Sequence, residues 1–481
     1  MRRSKHTLSH YRMHTCDMGE LIPIQCVPVL AGDTMQGSSS AMIRVSPLNT
    51  PVMHPVTVRI HHWFVPNRLL WKEDENGGWE QFITGGPDGN NSATIPQRVY
   101  ATGKKNLGNY LGIPALGTGR ALNDLPLRAT NFIFNQRYRD QDLVTERSLS
   151  NQTIPRIAWE KDDLTSARPW TQKGPQVTLP LGTAAPIFTD QSGGDNFISV
   201  KDDAGVNRLV ENPSGTQVKT AIGTASPGQE LFADLSAAGA IDVNDFREAF
   251  AKQRYQEARA RYGSRFTEYL RYLGIRPSDA RLQEPEYVGG GTARLSFSEV
   301  LQTSGTTDGS GDGVGDLYGH GIAGVRTPSF RKFFEEHGYL VSLLSVRPKA
   351  VYMNGVDREF LKLTKEEYFQ KELANLGQQA VLAGQLFTDQ AGYRDDWAFQ
   401  DRYQEYRKHP SLVGQDFRDT LNAWHLAREL TSGVALNQSF VECNPSKRIF
   451  QVTSGDSLWI MINNSLVARR MVPKTASPRI L

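Results

Sequence analysis

Apolar and polar positions first fall into order between residues 20 and 65. Residues 20–30 carry Leu21, Ile22, Ile24, Val27 and Val29, broken by Pro23 and Pro28, and 41–45 is short and apolar. Val56, Val58 and Ile60 then alternate with Thr57, Arg59 and His61, the two-residue period of a strand with one buried face. That strand runs through His62-Trp63-Phe64-Val65 and is turned off by Pro66-Asn67. Prolines at this density suit strand ends and edges. Residues 72–130 are punctuated by Gly, Pro and Asn and read as loop with short pieces of structure.

Residues 172–241, rich in Gly, Ser, Thr, Ala and Asp, read as a surface insertion with weak strands at 197–200 and 206–210. From Asp242 to Leu273 the spacing of Phe246, Phe250, Tyr262, Phe266 and Leu270 predicts a helix. Asp242 caps it, Gly263-Ser264 splits it and Gly274 ends it. A Gly-rich loop is expected over 289–324, strands at 339–346 and 350–353, a short helix over 419–430, and strands at 448–453 and 457–462. Strands at both ends with long insertions between them require the first to pair with the last. That predicts a mainly β protein, an antiparallel sandwich of Greek-key or jelly-roll type, and not a regular βαβ alternation.

Charge changes the picture at the termini. The net charge is only +3. Yet the first fourteen residues hold Arg2, Arg3, Lys5 and Arg12 with no acid, and the last dozen hold Arg469-adjacent Arg470, then Lys474 and Arg479, again with no acid. Basic termini on a near-neutral body fit arms that touch phosphate, and they fit solvated tails equally well. Cys16, Cys26 and Cys443 are too few and too scattered for a disulfide framework or a zinc site, which suits a reducing compartment. No apolar run reaches the ~18 residues of a membrane span, and the charged start does not resemble a signal peptide.

Candidate chemistry is thin. Gly319-His320-Gly321-Ile322-Ala323-Gly324 matches a dinucleotide fingerprint, but Gly-rich sequence precedes it and Arg326-Thr327-Pro328 follows, where a strand and a helix are needed. Asp308, Asp312 and Asp316 resemble the start of a calcium loop. Gly319 stands where its bidentate Glu belongs, so a flexible acidic loop is the better reading and a weak calcium site the alternative. His61 and His62 are neighbours on a strand and point to opposite faces. His425, beside Trp424 in the expected helix, has no second ligand at helical spacing. No Ser or Cys sits on a nucleophile elbow. The expectation is a protein that is not an enzyme and has no cofactor.

Several runs resemble the capsid proteins of gokushovirus-like microviruses, small icosahedral single-stranded DNA bacteriophages. They include Thr15-Cys16-Asp17-Met18-Gly19 and Arg59-Ile60-His61-His62-Trp63-Phe64-Val65-Pro66-Asn67-Arg68. Further along come Tyr262-Gly263-Ser264-Arg265-Phe266, Phe297-Ser298-Glu299-Val300-Leu301-Gln302-Thr303, Ser345-Val346-Arg347-Pro348-Lys349 and Tyr406-Arg407-Lys408-His409-Pro410-Ser411. The resemblance covers most of 9–100 and 242–465. It implies one jelly roll with very large insertions, divided as a basic arm (1–20), first strands and long loops (21–171), a variable insertion (172–241), a helical and Gly-rich insertion (242–330) and closing strands with a basic tail (331–481).

It further implies a shell of about sixty equivalent chains around a circular single-stranded DNA genome, assembled in the bacterial cytoplasm. The implied partners are a scaffolding protein, a DNA pilot protein, a small basic internal protein and a host surface receptor. Arg2, Arg3, Lys5 and Arg12 are then candidate phosphate contacts and Tyr11 a candidate base stacker. The turn Ser192-Gly193-Gly194-Asp195-Asn196 is the candidate host contact on a threefold protrusion. The competing reading is a non-capsid β-sandwich that binds a glycan or receptor.

Overall fold

The computed structural model describes residues 3–72, 77–85, 94–114, 120–175, 243–262, 266–276, 283–303 and 317–475, residues 177, 278 and 279, and five short strands between 187 and 233. The chain forms two compact units, Met1–Thr171 with Ala260–Leu481, and Gln172–Arg259. In chain order the strands are β1 (Ser4–Thr7), β2 (His10–Cys16), β3 (Leu21–Val29), β4 (Thr34–Val45), β5 (Val56–Pro66), β6 (Gln97–Val99) and β7 (Ala121–Asn123). The second unit contributes β8 (Ile187–Thr189), β9 (Ile198–Lys201), β10 (Asn207–Glu211), β11 (Lys219–Ile222) and β12 (Leu231–Ala233). Then follow β13 (Glu286–Leu301), β14 (Leu317–Arg326), β15 (Phe330–Phe333), β16 (Gly338–Pro348), β17 (Gln378–Leu382), β18 (Asp396–Asp401) and β19 (Leu458–Arg470).

The first unit is built on one curled antiparallel sheet. β1 and β2 lie end to end along one edge of β19, and the order continues through β4, β14, β13, β5 and β16 to β3, with β15 also on β4. Its two halves face each other across a shared core. Ile43, Val45, Ile460 and Ile462 from one half pack with Ile22, Ile24, Val58, Ile60 and Leu344 from the other. The terminal strands pair as the sequence predicted, and the arrangement is the jelly roll that the family resemblance implied. β3 closes one end of the sheet, so Pro23 and Pro28, which lack an N–H, sit on an edge.

β13 belongs to both halves. Its first part pairs with β5 and its last six residues with β14. The change of partner falls between Leu295 and Ser296, and Gly290 and Gly291 lie in the part paired with β5. A Cβ at Gly290 would lie 2.5 Å from the Ile60 carbonyl oxygen, and one at Gly291 would lie 2.9 Å from Thr327 Cα. The glycines that read as loop are therefore bare backbone inside a strand, and 289–324 is a hairpin arm in the sheet wherever it is described.

The two halves differ on their outer faces. The β5–β16 half is roofed by the chain's own insertions. Leu21, Trp63, Val65, Val341 and Leu343 pack against Trp159, Tyr352 and Phe440 and against the helix Leu125–Ile133. That helix presents Leu125, Ala129 and Ile133 at four-residue spacing, one stripe facing the sheet. Among the described residues, the β2–β19–β4–β14 half has no such roof.

A buried polar chain ties the halves together. His62 places Nδ1 2.7 Å from Ser342 Oγ and Nε2 3.1 Å from Thr327 Oγ1. Ser342 donates to Gln25, and Thr327 Oγ1 accepts from the Ser39 backbone N–H. Ser39 in turn donates to Asn464 Oδ1 at 2.6 Å. Burial pushes the His62 imidazole down to about 4, with His61 adding to the shift, so the ring is neutral at pH 7.

Other expectations are corrected. Residues 419–430 form no α-helix but 3-10 turns at Gln415–Arg418 and Asn422–Trp424 and then extended chain. His425 bonds the Phe417 carbonyl at 2.7 Å and accepts from the Ala427 N–H, local bonds that compete with a helical path. Residues 350–353 and 448–453 form only isolated bridges, at Tyr352 and Phe450. Ala350, Tyr352, Met353, Ile449 and Phe450 are buried in packed loops rather than in a ladder.

In the second unit β9, β10 and β11 form one antiparallel sheet and β8 and β12 another, close to the two weak strands expected there. The expected long helix is two pieces, Val243–Tyr262 and Phe266–Tyr272, ended by Gly274 at φ +80. Asp242 and Gly263-Ser264 lie outside the described residues. No described helix is long and apolar enough to cross a membrane.

Candidate nucleic-acid interface

The unroofed half exposes a face built from strands of low charge and strict alternation. Inward positions of β4 are Met35, Gly37, Ser39, Ala41, Ile43 and Val45, while Gln36, Ser38, Ser40, Met42 and Arg44 point out. Register stacks the outward residues into rows. Thr15, Trp459, Arg44 and Ile322 form one row, and Met13, Met461, Met42 and Gly324 the next. A third holds Tyr11, Asn463, Ser40 and Arg326. Tyr11 is 69% exposed and Met13 78%. A cavity of about 780 Å³ lies against the first two rows, lined by Met13, Met42, Arg44, Lys104, Tyr110 and Trp459 among others.

Further along the same strands the rows become basic. Lys5 stands directly opposite Arg469, and Arg331 opposite Gln36. Lys5, Arg331 and Arg469 line a second groove of about 330 Å³ with Gln36, Ser38 and Ser465. Like charges facing each other across a ladder are destabilising unless an anion lies between them. Among the described outward positions of β1, β2, β4, β14, β15 and β19 there is no acid.

The sequence candidates divide. Lys5 and Tyr11 share this face, and Arg3 lies over the outward Phe333 ring at 5.1 Å. Arg12 faces the other way, donating to the carbonyls of Tyr110 at 2.8 Å and Leu111 at 3.4 Å, and burial lowers its pKa. Residues 4–16, read from charge as an arm, are strands on the β19 edge, which would otherwise be open. Arg2, the turn Ser192–Asn196 and the acidic triplet Asp308, Asp312, Asp316 lie outside the described residues.

Sequence reasoning missed Arg44, Arg326, Arg331 and Trp459, and had Arg469 only as part of a tail. The available signal was β4 itself, whose solvent positions carry Met42 and Arg44 rather than acid–base pairs.

Beside the large cavity, Lys105 Nζ lies 2.7 Å from Asp17, 3.1 Å from Glu20 and 2.7 Å from Asp456. Those three carboxylates are close enough together to hold a metal ion. The ammonium already supplies the positive charge there, and Lys447 adds a second at 2.9 Å from Asp17. Burial alone would raise the Asp17 carboxyl, but the hydrogen bonds from Lys105 and Lys447 outweigh it and hold the group at about 2. The cluster is a clasp that joins Asp17–Glu20, a loop and the approach to β19.

An antiparallel jelly roll of this length, with one half roofed by insertions and one face bare, has the build of a viral shell subunit. Residues 1–479 match the family described as capsid protein (F protein), and the chain belongs to that family of microvirus capsid proteins. It is similar to capsid protein VP1 of Bdellovibrio phage phiMH2K, with 32% identity over 94% of this chain and 90% of that one. VP1 of Chlamydia phage 1 is 29% identical over 92% and 90% of the two chains, and VP1 of Spiroplasma virus 4 is 29% identical over 88% and 85%. The role is therefore structural, not enzymatic, and its place is the virion.

Proposed function

We propose that about sixty copies of this chain close into an icosahedral shell around a circular single-stranded DNA genome, with the bare face of β2, β19, β4 and β14 turned toward that genome. The observation that carries the genome-facing assignment is the pairing of exposed rings with bases and no acids on one sheet face. Trp459 and Tyr11 offer flat surfaces for unpaired bases, each such stack being worth ~1–3 kcal/mol. Arg44, Arg326, Arg331, Arg469 and Lys5 offer charge to phosphate without reading sequence.

The shell cannot neutralise its cargo alone. About sixty chains at +3 give roughly 180 positive charges, against one negative charge per nucleotide. A small basic internal protein, polyamines or metal ions make up the difference. Scaffolding and pilot proteins assist assembly in the bacterial cytoplasm, and the 172–241 insertion, with its turn at Ser192–Asn196, meets the host receptor.

The test is the triple variant Lys5→Ala, Arg331→Ala, Arg469→Ala, followed in infected cells by sedimentation and by the DNA content of purified particles. Shells with reduced DNA are expected. Normal DNA content would overturn the genome-facing assignment, and a wild-type chain that forms no shells would overturn the shell itself.

A further inference from the structure

A second exposed apolar surface lies on the insertion between β16 and β19. Phe360 is 80% exposed and Leu363 71%, and Tyr368, Phe369 and Tyr406 are each close to half exposed. Tyr368, Phe369 and Tyr406 gather around Lys362 and Tyr403, and Phe360 and Leu363 stand two residues before and one after Lys362 in the chain. Lys362 Nζ lies 5.0 Å from the Tyr368 ring and 4.3 Å from the Tyr406 ring, and Tyr403 links Phe369 at 5.2 Å to Tyr406 at 6.1 Å.

The patch is held rigid from beneath. The Lys362 side chain is only 1% exposed, with Nζ 2.6 Å from Glu359, 2.9 Å from the Tyr406 hydroxyl and 3.7 Å from Glu405. Glu405 also takes a hydrogen bond from Gln379 at 2.7 Å and faces Arg358 at 3.7 Å. Glu367 accepts from the N–H groups of Leu363 and Thr364 and pairs with Arg394, which donates to the Leu361 carbonyl. A loop without α-helix or ladder is thus fixed by buried charge, and large side chains stand on it already ordered. Rings on a preorganised base are the make-up of the few residues that dominate protein–protein affinity.

Charge decides what covers the patch. On the described strands of the bare sheet face the outward charges are all basic. Around Phe360 they pair off: Lys362 with Glu359, Arg394 with Glu367, and Arg407 with Asp401 at 3.8 Å. A polyanion gains nothing there. The occupant that fits is an ordered protein surface of near-zero net charge, and this chain, at +3 over 105 charged groups counted as 54 basic and 51 acidic, is one. Membership of a capsid family makes copies of the same chain the surroundings of each subunit.

We infer that the Phe360–Leu363–Tyr368–Phe369–Tyr406 patch docks a second copy of this chain in the shell. The inference rests on the shell reading above.

The test places a photoreactive phenylalanine analogue at position 360 of the full chain in particles from infected cells. Adducts joining two copies of the chain are expected, mapped by mass spectrometry. Adducts only to another polypeptide, only to DNA, or only within one chain would overturn the inference while the shell reading stands. Particles absent from wild-type cells would remove both. As a second arm, Phe360→Asp with Leu363→Asp is expected to leave a folded chain but lower shell yield about tenfold or more, since losing one anchor commonly exceeds the ~1.4 kcal/mol that corresponds to tenfold. Wild-type shell yield in that variant would overturn it.

Discussion

The two halves of the curled sheet have the same fold and nearly opposite sequences. β16, roofed on its outer side, is buried along almost its whole length, and its sequence reads as a continuous apolar run around Ser342 and Ser345. β4, unroofed, alternates strictly. A sheet covered on both faces loses its two-residue period, whereas a sheet with one free face keeps it. The free positions of β4 and β19 carry Met42, Arg44, Trp459, Met461 and Arg469 among Gln, Ser, Asn and Val, and no acid.

The largest effect that sharpens this contrast is a truncation. Leu343→Ala, under the roof, is expected to lower unfolding free energy by about 2–5 kcal/mol. Met42→Ala, on the bare face, is expected to change it by less than about 0.5 kcal/mol. Denaturant titration of both variants checks the pair, and equal losses would erase the distinction.

Next comes pH. His62 is held neutral in the core at about 4, against about 6.5 for a free imidazole, and burial gives His54 and His61 similar values. The unfolded chain therefore takes up protons first. Stability is complete above pH ~6.5, falls as the pH drops toward ~4, and has lost at most about 3 kcal/mol per histidine below that. A stability flat from pH 7 to 4 would show that these rings are not buried neutral.

On the bare face the expected effects are on binding and are smaller. Trp459→Ala should weaken oligothymidylate binding by ~1–3 kcal/mol with stability nearly unchanged. Removing Arg331 and Arg469 together should flatten the salt dependence, making the slope of log K against log salt shallower by roughly 1.4. An unaltered slope would mean that neither residue meets phosphate.

Much of the fold was legible where pattern and burial agree. β5 declared itself through Val56, Val58 and Ile60, and Pro23 and Pro28 marked β3 as an edge. The reading failed where local composition and tertiary need conflict. Gly289-Gly290-Gly291 looks like loop until Ile60 and Thr327 are seen to crowd it. Residues 419–430 look helical until His425 is seen bonded to Phe417.

The candidate interface was half legible for a related reason. Lys5 and Tyr11 announce themselves by clustering at one end of the chain, but Arg44, Arg331 and Trp459 join them only through register. No local window contains that register. The Phe360 patch was hidden differently, since exposed rings and core rings look alike in a sequence.

The pairing of the first strands with the last also sets a schedule. His10 lies opposite Asn464, 454 residues further along the chain. At about 5–20 residues per second, translation leaves β2 without its partner for roughly 23–90 seconds. The bare face is completed only when β19 has left the ribosome, so if that face meets the genome as proposed, a nascent chain has no finished surface for it and capture waits for whole subunits.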